Sequence, residues 1–203
     1  MSATSLLDWR RRVAAIYAEV RAEPDPAQAH QAWQEARNAL LGTHPDSPIP
    51  PSERASFTGV PVAPYDPQLR FTAEVDTDVE PSRIEMRTST DGTVPYDRAG
   101  VVHLAVVGDL DVWWLASYGG GLFVPIRGAS DDGTTYPGGR YVLDTVKGAD
   151  LGGDDGFLVV DLNFAYNPSC AYDPAWTCPL PPPGNTVPVA VHAGELMRTR
   201  RDR

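Results

Sequence analysis

Beyond Phe57 the chain never sustains one periodicity for long. Short runs of β-branched and aromatic residues alternate with clusters of Gly, Pro and Asp, and the 203 residues hold 18 glycines and 20 prolines. That punctuation excludes a helical bundle over this stretch and reads as all-β. The runs predict strands at Leu69–Asp76, Arg83–Thr88, Val101–Val107, Val112–Tyr118, Leu122–Ile126, Arg140–Val146, Phe157–Asn163 and Val187–His192. Asp91-Gly92, Gly108-Asp109 and Gly119-Gly120-Gly121 lie between neighbouring runs at hairpin spacing. The fold expected is mainly β with an N-terminal helical arm: an antiparallel meander of about eight strands, forming a barrel or a sandwich.

The arm comes first. Leu6, Trp9, Val13, Ile16, Tyr17 and Val20 recur at spacings of three and four, one stripe of a helix capped by Thr4 or Ser5. Glu23-Pro24-Asp25-Pro26 breaks the pattern, and a second helix is predicted from about Ala27 to Leu41, with Gly42 at its C-cap. The proline-rich His44–Pro51 then leaves the helices. The organisation expected is one structural domain: the arm over 1–50, the β domain over 51–197 with a proline-rich loop at 166–186, and a basic tail over 198–203.

Seventeen basic against 27 acidic residues give a net charge of −10, which disfavours nucleic acid as a partner. No apolar run approaches the roughly 20 residues that span a bilayer, and the start lacks an apolar segment behind a basic one. A cytoplasmic protein without a membrane partner is therefore expected. A small-molecule ligand and a second copy of the chain, as a homodimer, stay open as partners.

Nucleotide-binding glycine loops and the serine-hydrolase elbow are absent from the sequence. Gly119-Gly120-Gly121 reads as a turn, while Asp150–Gly156 and Ser130–Gly133 read as solvated acidic loops. Trp113 and Trp114 must point to opposite faces of a strand. Lys147, the single lysine, lies in no catalytic motif.

The informative stretch is Phe157 to Glu195. An apolar strand ends in Asp161 and Asn163, then Tyr166-Asn167-Pro168, Cys170, Tyr172, Trp176 and Cys178 precede Pro181-Pro182-Pro183 and Asn185. Prolines make this loop stiff at small entropic cost, as suits side chains held in fixed places. Cys170 and Cys178 are the only cysteines. They fit a pair of structural thiols, a disulfide, or a nucleophile with His192 or Glu195 as base, and only weakly a metal site, with His44 and His192 to complete it. His103 reads as a satisfied sheet histidine.

His44-Pro45-x-Ser47-Pro48, Phe57-x-Gly59, Gly138-Gly139-Arg140-Tyr141, Asp161-x-Asn163, Ala165–Tyr172, Cys178–Asn185 and Ala193-Gly194-Glu195 occur in that order. Together they resemble the bacterial and archaeal domain-of-unknown-function family numbered 1684. The resemblance brings no established activity with it and leaves any cofactor unknown. It places Arg140, Asn163, Tyr166, Asn167, Cys170, Cys178, Asn185 and Glu195 in the family's motif blocks.

Three readings fit these residues. In the first, a small-molecule pocket uses Arg140 for an anionic group, Asn163, Asn167 and Asn185 for amide bonds, and Tyr141, Tyr166, Tyr172 and Trp176 as apolar wall. In the second, a hydrolase-like enzyme uses Glu195 or Asp161 as general base with Arg140 as electrostatic stabiliser. In the third, Arg140 pairs with Asp161 or Glu195 and the block is a clasp between barrel and arm.

Overall fold

The structure, a computed structural model, describes residues 2–88, 92–129 and 133–198. Asp91 of one expected turn, Ser130–Asp132 of one acidic loop and the tail beyond Arg198 lie outside them.

Helix α1 spans Ala3–Ala22 and α2 spans Pro26–Thr43. The cap of α1 is Ser2, whose hydroxyl accepts from the Ser5 N–H, so the helix starts ahead of the Thr4 or Ser5 cap expected. Asp25 caps α2 through the Ala27 and Gln28 N–H groups, with Pro26 at the first helical position, where its missing N–H costs nothing. Gly42 is not the cap. It stays inside the last turn of α2, where the Phe57 ring lies against it, and His44 caps the helix with extended backbone.

Eight strands follow: β1 Arg70–Asp76, β2 Arg83–Thr88, β3 Gly92–Leu104, β4 Gly108–Leu115, β5 Leu122–Gly128, β6 Arg140–Asp144, β7 Phe157–Asp161 and β8 Thr186–Val187. They form one curled, half-barrel sheet in the order β6-β5-β4-β3-β1-β7, with β2 added to the first half of β3 and β8 to β5. All pairs are antiparallel except β5–β8. The meander β3-β4-β5-β6 is the one the punctuation predicts. Its first turn differs: Leu104 pairs with Gly108, so Ala105-Val106-Val107 make the turn and Gly108-Asp109 already belong to β4. Beyond β7, Tyr166 forms an isolated antiparallel bridge with Tyr141 of β6, drawing the two ends of the sheet together.

The strands alternate between two cores. Val102, Leu110, Val112, Val124, Ile126 and Val142 form an aliphatic core covered by the C-terminal segment through Val187, Val191 and Ala193. Trp113, Phe123, Tyr141 and Tyr166 point the other way, where Tyr17 and Trp33 of the arm join them with Phe164. Trp113 is buried and Trp114 is 45% exposed, as the two-residue period requires. The arm thus packs on the aromatic face and the tail segment on the aliphatic one. Among the described residues no helix is long and apolar enough to cross a membrane.

Candidate functional site

The block from Phe157 to Glu195 separates physically into two parts. One part is buried and spends its polar groups on the fold. Arg140, 2% exposed, donates from its guanidinium to the carbonyls of Val191 (2.7 Å), Ala193 and Glu195 (3.3 Å). Burial pulls its pKa down to about 10, partly offset by the nearby Glu195 carboxylate. It ties β6 to the C-terminal segment through Nη1 and Nη2.

Glu195, 1% exposed, is held by a different arginine. Arg37 of α2 reaches it with Nε and, at 3.3 Å, with Nη2. The Tyr172 hydroxyl and the Asn167 N–H each donate to Oε2 at 2.7 Å. The carboxylate therefore joins the arm and the proline-rich loop at one point. Burial opposes the charge on Arg37, but Glu195 outweighs it and the pKa of Arg37 is raised. Burial and the same carboxylate raise that of Tyr172. Glu195 reaches this point because Gly194, at φ +70°, turns the chain where a Cβ would meet the Ala165 carbonyl oxygen.

Three further candidates are also fold-bound. Asp161 is fully buried and accepts from Arg70 (3.0 Å) and from the Asn163 N–H (3.0 Å) and amide (2.7 Å). Asn163 closes a two-way bond with the backbone of Asp66, at 2.8 Å in each direction. Asn185 accepts from the Trp113 indole (2.8 Å) and donates to the carbonyls of Asp111 (2.8 Å) and Pro125 (2.9 Å). None of the three reaches a cavity wall shared with the remaining candidates. Of the histidines proposed as partners of the cysteines, His44 is buried beneath Trp9 and bonded to Asp8, and His192 is exposed beside Thr134. His103 is exposed on β3 and bonded to Asp109 at 2.8 Å.

The other part lines a cavity of about 160 Å³ between the arm and the loop, walled by Trp9, Tyr17, Tyr141, Tyr166, Tyr172 and Trp176. Asn167, Cys178 and Pro179 complete the loop side, and Arg37 and Lys147 supply cations. Tyr141 is fixed by donating to the Pro179 carbonyl at 2.6 Å, so β6 and the loop hold each other. Its ring meets Tyr166 edge-on at 5.6 Å, and the Arg37 guanidinium lies 4.6 Å over Tyr166. Lys147 also lines an adjoining cavity of about 340 Å³ with Tyr96, Phe123 and Tyr118. Its side chain is half exposed, and its ammonium pairs with Asp144 at 2.9 Å. Burial opposes that charge, and the neighbouring Asp144 carboxylate is the largest influence raising the pKa against it.

Sequence reasoning missed Arg37 and Tyr17, and it set Lys147 aside for lack of a motif. A signal for Arg37 exists: it follows Trp33 by four positions on the stripe that α2 buries.

A half-barrel carrying a two-helix arm, with a proline-stiffened loop clasped to both, describes a family. The chain belongs to the family described as Protein of unknown function (DUF1684), whose model matches residues 55–196. The match begins after His44–Pro48 and after the arm, so Arg37, Tyr17 and Trp9 lie outside it. The solution NMR structure of the uncharacterized protein from gene locus rrnAC0354 of Haloarcula marismortui is 35% identical. It superposes with a TM-score of 0.59 over 82% of this chain and 91% of that one. No curated protein matches the chain.

Proposed function

We propose that the protein binds a small molecule in the cavity between arm and loop, and that the ligand combines a flat apolar body with an anionic group and a hydrogen-bond donor. The observation that carries this reading is Asn167. Its amide nitrogen donates to the Leu196 carbonyl at 3.1 Å and its side-chain oxygen is buried with no partner among the described residues, in a residue that lines the cavity. A buried acceptor left unmade costs about 1–3 kcal/mol, which a donor on a ligand recovers. Lys147 supports the anionic group: an ammonium has three donors, and Asp144 engages one side of it. The six aromatic walls supply the apolar body with contact area, in the usual proportion of many apolar lining groups to few polar ones.

Arg140 has no part in this reading: it lies outside the lining of this cavity, and its Nη1 and Nη2 bond main-chain carbonyls of the C-terminal segment. A general base at Glu195 or Asp161 has little support either, because arginine, tyrosine and backbone donors occupy their oxygens.

The test uses 4-hydroxybenzoate and its neutral amide as probes. The carboxylate should raise the melting temperature by a few degrees at millimolar concentration, the amide by less than half as much. Lys147→Gln, which keeps a donor for Asp144, should abolish the difference between the two while folding normally. Equal shifts for both probes in the wild type, or no shift with either, would contradict the proposal.

A further inference from the structure

The two cysteines stand eight positions apart at the ends of the segment that carries Tyr172 and Trp176. The backbone of one lies against the sulfur of the other. The Cys170 N–H donates to Cys178 Sγ at 3.3 Å, and the Tyr136 hydroxyl donates to Cys170 Sγ at 3.5 Å. Both thiols are free and half-buried, and Cys178 lies in the cavity wall. A half-buried sulfur that accepts a hydroxyl donor is stabilised as thiolate.

We propose that Cys170 and Cys178 form a dithiol that reduces small disulfides, Cys170 attacking and Cys178 resolving, so that the protein carries a thiol–disulfide exchange activity beside the cavity. The Cys170 thiolate attacks one sulfur of R–S–S–R; that S–S bond breaks, and RS⁻ leaves with the electron pair. The leaving thiolate takes the Cys178 proton, and the Cys178 thiolate then attacks the Cys170 sulfur of the mixed disulfide. The second RS⁻ departs and is protonated from solvent, which receives the proton lost on forming the Cys170 thiolate. The protein loses two electrons and two hydrogens, and two molecules of RSH are formed.

The hydrogen bond from Cys178 pulls the Cys170 pKa down to about 6 against the opposing effect of burial, and Tyr136 adds to it. The same sulfur contact and burial push Cys178 upward. The other titratable groups acting on the pair are Tyr136, Tyr141 and Lys147. This chemistry does not depend on what occupies the cavity.

The experiment treats the full chain with bis(2-hydroxyethyl) disulfide, quenches with acid, alkylates with N-ethylmaleimide and reads the intact mass. The wild type should come to a form about two mass units lighter that takes no maleimide. Cys178→Ser should stop at the mixed disulfide, and Cys170→Ser should react at least about tenfold more slowly at pH 7. The rate at which the wild type reacts should rise with pH to half its maximum near pH 6, well below the roughly 8.5 of an ordinary thiol. Two maleimides on the fully treated wild type, equal rates for the two variants, or an ordinary pH midpoint would overturn the proposal.

Discussion

Glu195→Ala should lower the melting temperature by about 10 °C, the largest effect expected of a single carboxylate in this chain. Removing one partner of a buried ion pair costs about 3–5 kcal/mol, because the other charge stays buried without compensation. In a domain of this size each kcal/mol corresponds to about 2–4 °C. The loss here is wider than the pair. Arg37 keeps a guanidinium with 12% exposure, the Tyr172 hydroxyl and the Asn167 N–H lose their acceptor, and the arm loses its tie to the loop. Arg37→Ala should cost a similar amount by stranding the carboxylate. The double variant Arg37→Ala/Glu195→Ala should lose less than the sum of the two single losses, since no charge remains to be compensated. Thermal unfolding of the four proteins measures the coupling. A loss below about 2 °C in both alanine variants would mean that Glu195 does not hold the arm.

The second large effect is Arg140→Ala. Charge-assisted hydrogen bonds contribute about 1.5–3 kcal/mol each, and this guanidinium reaches three carbonyls of one segment. A loss of roughly 3–5 kcal/mol is expected, again about 10 °C. It should be local in character: the amides of Val191 to Glu195 should lose hydrogen-exchange protection before those of β3 and β4. Arg140→Lys should recover little, because an ammonium cannot span carbonyls that a planar fork does. A melting temperature within a few degrees of wild type, with unchanged exchange, would show the guanidinium to be dispensable to the fold.

The strands were legible because one face of the sheet is aliphatic and the chain marks each reversal with Gly, Pro or Asp. Where polar side chains face each other across strands, that signal fails. The first half of β3 carries Pro95, Asp97 and Arg98; there Arg83 of β2 pairs with Asp97 and Asp111 of β4 with Arg98, while Tyr96 turns into the aromatic core. Val187–His192 fails in the opposite sense. Its β-rich residues cover the aliphatic core, but Pro188 lacks the N–H to continue the ladder, and only Thr186-Val187 pair with β5. The motif block was legible as a block, since its residue types and prolines are local. Its division into clasp and cavity wall was not, because that depends on Arg37, 158 positions from Glu195, and on the arm that brings it there. The clasp itself was among the expected readings, with the wrong arginine on the carboxylate.

The central claim is the location of the ligand site, and the five indole N–H groups of the chain report on it separately. The measurement is a ¹H–¹⁵N correlation spectrum of the full chain recorded through a titration with 4-hydroxybenzoate. Trp9 and Trp176 wall the cavity, whereas the Trp113 indole is bonded to Asn185 and Trp114 is exposed outside the cavity. The indole signals of Trp9 and Trp176 and the Asn167 amide should move together along one saturation curve, with those of Trp113 and Trp114 unmoved. A spectrum unchanged to the solubility limit of the probe, or one in which only Trp114 moves, would contradict the site.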